Sequence, residues 1–395
     1  MNVCFSSRLK VLQTFFSKWS EYRFTKLQSD TGVHEHNKPK VLFLCTYYVE
    51  RYSRNDIIVR GLEANGFQIL RCVSSGKSPL RYVKALVKFA RNVRSADIVF
   101  IGFRGHEIVP LVRLVTDKPI VFDAFFSIYD TLCNDRAVFR ANSIIGWLLF
   151  LVDRISCLSS DLVLLDTEEH IKYFVTKFNL PRNIFARIPI GADDTVFYPS
   201  RTARQRKEGK HIFSILFHGT FIPLQGVDYI VRAAENLGNW LHFTFVGSGQ
   251  TYRQIVTLAE RMRLSNATFV GRVSYESVPK WIAQSDLCLG IFGDSEKAGR
   301  VIPNKVYEAM AMKKPIVTSR TRATSELLAH CRNAFLCEPA NPESIVNAIE
   351  VLSDSPYLRH RISAGAYLTY RTKSCPIKIG RLLRKHLASC LKRET

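Results

Sequence analysis

The densest set of side chains able to do chemistry lies in residues 294–312, DSEKAGRVIPNKVYEAMAM. Pro303 halts the preceding chain, Asn304 suits a helix cap, and 305–312 carries a helical pattern. Arg300 and Lys305 bracket this helix start, and Glu308 lies one turn in. A helix N-terminus flanked by two cations suits a diphosphate. A carboxylate one turn further can accept hydrogen bonds from ribose hydroxyls. Charged runs are ordinarily solvated faces. Here Val301, Ile302, Val306, Ala309 and Met310 make the surroundings apolar, which favours a site.

Two glycine-bearing turns accompany that helix. FHGTFIPLQG carries Gly219, Thr220 and Gly226 between a strand-like and a helix-like run, and FVGSGQ carries Gly247 and Gly249. Glycine there lets backbone approach a ligand, and a following helix offers unpaired N–H groups to phosphate. Turns need glycine in any case, so the weight comes from two such turns in one half of the chain. In the other half, His106 follows Gly105 just past a strand-like run, and Asp123, Asp130, Asp135 and Arg136 cluster after the next one. Histidine and aspartate there could serve as acid or base, or simply as caps and turn residues. No P-loop lysine, His-Glu-x-x-His or well-placed Asp-x-Asp is present, so no metal site is expected.

These residues need elements to hold them. Strand-like runs fall at 41–47, 68–73, 97–103, 119–125, 162–166 and 185–190, with helical patterns between most of them. Apolar runs without strict alternation mark strands covered on both faces, and intervening helices mark a parallel sheet. A breaker stretch at 190–199 and a polar, basic run at 200–210 predict a hinge. The alternation restarts with strands at 212–217, 241–246, 268–270, 287–292, 315–318 and 334–337. The chain therefore reads as α/β, with two Rossmann-like, doubly wound parallel-sheet domains at 38–195 and 196–356. Ligands of open α/β sheets bind outside the strand carboxyl ends, here the cleft between the domains.

Two segments flank these domains. Phe5, Leu9, Leu12, Phe16 and Trp19 form one helical stripe among basic residues within 1–37. A docked extension and a basic amphipathic helix on an anionic membrane fit it equally. Residues 357–395 read as basic helices broken at Pro376 and returning to the first domain.

Fifty-six Lys and Arg against 34 Asp and Glu give a net +22, a surface drawn to polyanions. No aromatic-interleaved RNA motif or helix-turn-helix signal supports nucleic acid as the partner. Ten cysteines without a Cys-x-x-Cys pair support neither zinc nor a disulfide framework. The longest apolar run, 144–152, is too short to span a bilayer.

RVIPNKVYEAMAMKKPIVTS, the Ser325-Glu326-Leu327 that follows, IPIGADDTVFYP and FHGTFIPLQGVDYIVRAA together carry a resemblance. From about residue 40 to 342 the chain resembles the GT-B-fold glycosyltransferases of family 4, the retaining, sugar-nucleotide-dependent group 1 type. The resemblance implies two domains facing each other across a cleft, a UDP- or GDP-sugar donor and metal-independent chemistry without a further cofactor. It places the donor at Gly219, Thr220, Gly247, Gly249, Arg300, Asn304, Lys305, Val306 and Glu308. It makes His106, Asp130 and Arg300 the catalytic candidates. Two departures stand out. Arg300 occupies the position of the family's first glutamate, and Gln225 stands where the first loop usually carries a diphosphate-gripping lysine. Arg300 and Lys305 are then expected to supply the missing cations. The expected reaction is transfer to a lipid-linked or cell-surface glycan precursor, in the cytoplasm and peripheral on the inner membrane face. A non-catalytic membrane- or polyanion-binding protein of the same fold and a sugar-nucleotide epimerase are the alternatives.

Overall fold

The computed structural model describes residues 38–46, 53–74, 80–199 and 212–391. The stripe within 1–37 and the hinge run 200–210 lie outside the described residues.

The first sheet is wholly parallel, with strands β1 (Lys40–Cys45), β2 (Gln68–Val73), β3 (Ile98–Ile101), β4 (Ile120–Asp123), β5 (Leu162–Leu165) and β6 (Phe185–Arg187) in the order 2-1-3-4-5-6. Helices α1 (Ser53–Glu63), α2 (Leu80–Asn92), α3 (Val109–Arg113), α4 (Ile144–Leu158) and α5 (Glu168–Phe178) make the crossovers. Successive strand side chains point to opposite faces, and both faces are covered. Leu42, Leu44, Val99, Ile101 and Phe122 meet Ala85, Phe89, Val112 and Phe174 of α2, α3 and α5. Val41, Phe43, Ile98 and Phe100 meet Ile57, Ile58 and Leu62 of α1 on the other side. Each large apolar side chain so buried contributes about 1.5–3 kcal/mol.

The second sheet repeats the plan with β7 (Phe213–His218), β8 (Leu241–Val246), β9 (Ala267–Gly271), β10 (Leu287–Leu289), β11 (Ile316–Ser319) and β12 (Phe335–Cys337), in the order 12-11-10-7-8-9. Its helices are α6 (Val227–Glu235), α7 (Tyr252–Arg261), α8 (Val278–Gln284), α9 (Asn304–Ala311), α10 (Arg322–Ser325) and α11 (Pro342–Asp354). The chain runs outward from β7 to β9, then crosses to β10. The switch point between β7 and β10 therefore opens a crevice at their carboxyl ends.

The tail divides between the domains. In α12 (Pro356–Thr369), Ile362 joins the second core and the Arg359 guanidinium lies 5.2 Å from the Phe213 ring centre. Only α13 (Pro376–Leu391) returns to the first domain, where Ile379, Leu383 and Leu387 complete the α1 side of the core. The helices cross at Gly61 and Gly380, where a β-carbon on Gly380 would stand 1.8 Å from the Gly61 carbonyl oxygen. Among the described residues all nine cysteines are free thiols, eight of them buried. No described helix is long and apolar enough to cross a membrane.

Candidate functional site

The crevice at the β7–β10 switch is built around α9. Pro303, in extended conformation, is its N-cap, and Asn304 is the first helical residue. The expected Asn304 cap is corrected, because proline's fixed φ already suits the turn into a helix. The Lys305 side chain folds back under the first loop. Its Nζ donates to Gln225 Oε1 at 2.5 Å and sits 3.6 Å from the Phe217 ring centre. The Lys305 amine thus lies at the loop position that Gln225 occupies. Burial drives the Lys305 amine well below its ordinary pKa, and Glu308 opposes this. One turn on, Glu308 Oε2 is 2.8 Å from His218 Nε2 at the end of β7. Val306 is fully buried in the core beneath the helix.

The two glycine turns pack on each other before they meet any ligand. Gly219 and Gly247 have φ of +138° and +134°, and a β-carbon on Gly247 would stand 1.9 Å from the Gly219 carbonyl oxygen. One on Gly249 would stand 2.4 Å from the Phe221 oxygen. At Gly219 the same addition would meet Lys305 Nζ at 3.2 Å, so its missing side chain makes room for that amine. Thr220, beside it, is exposed.

Across the cleft the first domain presents a π-helical turn, Asp130–Asp135. Asp153, buried in α4, holds the turn's entry by accepting from Ser127 Oγ (2.6 Å) and the backbone N–H groups of Ile128 (3.0 Å) and Tyr129 (2.9 Å). Burial pushes Asp153 up to about 7 despite these bonds. The turn delivers Asp130 to Arg300, whose Nη2 donates to both carboxylate oxygens at 3.0 and 2.9 Å. Burial is the largest influence and would raise the Asp130 pKa, but the Arg300 charge, the Asn134 hydrogen bond and the Lys297 charge together outweigh it, and the net shift is downward. Arg300 also donates to Glu296 and stacks 4.1 Å from the Tyr173 ring centre. Two sequence-nominated residues are therefore partners of each other. Arg300, expected on a diphosphate, instead ties the domains together, because fully buried Asp130 needs a cation.

More ties surround this pair. Lys297 donates to Thr131 Oγ1 at 2.6 Å, with its Nζ 3.9 Å from Asp135, and Thr167 Oγ1 donates to the Arg300 carbonyl oxygen. Glu326, from the quoted Ser-Glu-Leu run, accepts from the Glu168 and Glu169 N–H groups at 2.9 and 3.2 Å. A carboxylate at the N-terminus of α5 is electrostatically favoured. Asp123, also singled out by its position, is bound in the core by Arg54 through contacts of 2.7–3.0 Å.

His106, expected at the reaction centre, is sealed inside the first domain. Its Nε2 lies 3.0 Å from the Phe126 carbonyl oxygen and 3.6 Å from Asp153, and its ring packs edge-on against Phe122. Burial drives its pKa down to about 3. Its loop turns inward because the His106 carbonyl oxygen accepts from buried Ser156. Sequence reasoning passed over Lys297, His218 and Asp153. Asp153 had a signal, as the one acid in IIGWLLFLVDRISCL. His218 had one too, ending a strand directly before Gly219.

The chain is similar to known glycosyltransferases. The family model described as glycosyl transferases group 1 matches residues 212–355. An uncharacterized glycosyltransferase of Methanocaldococcus jannaschii is 29% identical over 152 residues, 38% of this chain and 41% of its own. The alpha-D-kanosaminyltransferase of Streptomyces kanamyceticus is 26% identical over 200 residues, 48% and 50%. The lipopolysaccharide core biosynthesis glycosyltransferase LpsD of Rhizobium meliloti is 25% identical, covering 41% and 45%. The chain spans about half or less of the length of these relatives. Among solved structures, Anabaena HepE in complex with UDP and glucose has a TM-score of 0.68 at 16% identity, covering 89% of this chain and 100% of its own. Sucrose-phosphate synthase from Thermosynechococcus elongatus has a TM-score of 0.67 at 14% identity, with the same coverage. Two Rossmann-like domains give the chain the GT-B fold of these solved structures, and its second domain, residues 212–355, matches the group 1 glycosyl transferases.

Proposed function

We propose that the chain moves a sugar from a nucleotide-sugar to an acceptor, with the nucleotide on the second domain and the acceptor against the first. The carrying observation is α9, which places a buried lysine, its own N-terminus and a carboxylate one turn in at the β7–β10 crevice. The helix N-terminus and Lys305 would take the diphosphate. Glu308 would accept from ribose hydroxyls, since a carboxylate accepts through both oxygens and His218 engages one.

In the proposed step the bond between the anomeric carbon and the diphosphate oxygen breaks, its electron pair leaving with the diphosphate. The acceptor oxygen bonds to the same carbon with retained configuration, and its proton passes to a phosphate oxygen of the leaving group. Lys305 and the helix dipole offset the charge that develops there. This assigns no side-chain nucleophile and no metal to the reaction. UDP is the favoured nucleotide, because HepE was solved with UDP and glucose. The LpsD relative, named for lipopolysaccharide core biosynthesis, supports a lipid-linked or cell-surface glycan precursor as acceptor, and the net charge of +22 supports a site of action on the inner face of the membrane.

Incubating the protein with UDP-, GDP- and ADP-sugars, with and without EDTA, tests the reading. The expected result is release of one nucleoside diphosphate, unaffected by EDTA. Isomerised sugar without that release would mark an epimerase. Failure to bind or turn over any donor would mark a non-catalytic protein of this fold.

A further inference from the structure

Helices α2, α3, α4 and α5 share one core on a single face of the first sheet and follow one another across it. Their outer surface is unusual. On α2, Leu80, Val83 and Val87 recur at helical spacing and are exposed, Leu80 by 62% and Val83 by 57%. Leu114 of the α3 end is 77% exposed, with Leu111 and Val115 beside it in sequence. The first turn of α4 adds Ile144, 80% exposed, together with Ile145 and Leu148. Scattered surface apolar residues are ordinary, but three successive helices with outward apolar turns are not.

Basic residues interleave with them. Lys84, Lys88 and Arg91 share the outward face of α2 with Val83 and Val87, and Arg94, Arg104 and Arg140 are exposed nearby in the chain. The exposed acids among these segments are Asp97, Glu107 and Asp117. Apolar residues set among Lys and Arg match an interface where acyl chains lie beneath anionic headgroups. Both α2 and α4 begin at the strand carboxyl ends, so Leu80 and Ile144 lie at the cleft side of the layer.

We propose that the outer face of α2, α3 and α4 docks the protein on an anionic lipid bilayer. The apolar side chains enter the headgroup region and the α2 cations pair with lipid charge. Docking rests on this surface alone. Its consequence, delivery of a lipid-linked acceptor to the cleft rim, rests on the transferase reading above.

The test is co-sedimentation of the full chain with vesicles of phosphatidylcholine alone and with about a third phosphatidylglycerol, at low and at physiological salt. Two variants accompany the wild type: Val83→Gln with Val87→Gln, and Lys84→Glu with Lys88→Glu and Arg91→Glu. All five positions are exposed, so melting temperature and nucleotide binding should be unchanged in both. The wild type should prefer anionic vesicles, and each variant should lose at least about tenfold of that binding. A wild type that ignores anionic vesicles at low salt overturns the proposal. So do variants that sediment like the wild type, which would move the anchor to another segment. Nucleotide binding, measured on the same samples, reports on the transferase reading separately.

Discussion

Asp130 and Arg300 stand 170 positions apart in the chain and meet across the cleft, the carboxylate fully buried and the guanidinium nearly so. Arg300 thereby joins the two domains, while the Lys305 amine lies against Gln225 of the first loop of the second domain.

Asp130→Ala and Arg300→Ala should each lower the melting temperature, because removing one partner strands the other, a cost of about 3–5 kcal/mol in buried pairs. The double variant should lose clearly less than the sum, as residues in direct contact are coupled. Additive losses would show that the two act separately. The Asp130 carboxyl is held below its ordinary value, so this tie is complete above about pH 4 and weakens as pH falls through the folded-state pKa.

Lys305→Met should raise KM for the donor or lower kcat by about 2–4 kcal/mol of transition-state binding. Gln225 marks where the cation is needed, since Lys305 Nζ already touches it. Adding Gln225→Lys to Lys305→Met should therefore recover part of the loss. Gln225→Lys alone should be harmful, because it would bury two ammonium groups together. A double variant no better than Lys305→Met would detach this amine from the donor.

Glu308→Gln and a donor lacking a ribose hydroxyl should each weaken binding, and the two losses should not add, because both delete one interaction. Kinetics of the two enzymes with the two donors supply the four values. Additive losses would assign Glu308 to holding His218 alone.

The His106 imidazole should stay neutral from pH 7 to 5 in the folded protein, as its pKa is driven to about 3 by burial. The sign follows from linkage: the unfolded chain protonates near 6.5 and the folded one does not, so His106 stabilises above that value. Its contribution falls as pH drops toward 3. Imidazole NMR shifts report the state directly, and a titration near 6.5 would contradict the sealed position.

All twelve strands fall where the apolar runs place them, because a strand covered on both faces needs a run such as VLFLC or LVLL whatever its tertiary partners. The helix carrying Lys305 and Glu308 was legible for the same reason, from Pro303 and the apolar spacing behind it. The partner of Arg300 was not legible. Nothing local distinguishes an arginine facing a phosphate from one facing a carboxylate 170 residues away. Likewise, α12 and α13 are both basic, and only packing sends one to each domain. His106 after Gly105 reads the same whether the loop turns toward the cleft or, as here, beneath Phe126.

Calorimetric titration of UDP and GDP into the full chain and into Lys305→Met tests the donor site most directly. One of the two nucleotides should bind the wild type at a single site, and the variant should lose at least about tenfold in affinity, or about 1.4 kcal/mol. A wild type that binds neither nucleotide, or a variant that binds as tightly as the wild type, would contradict this assignment.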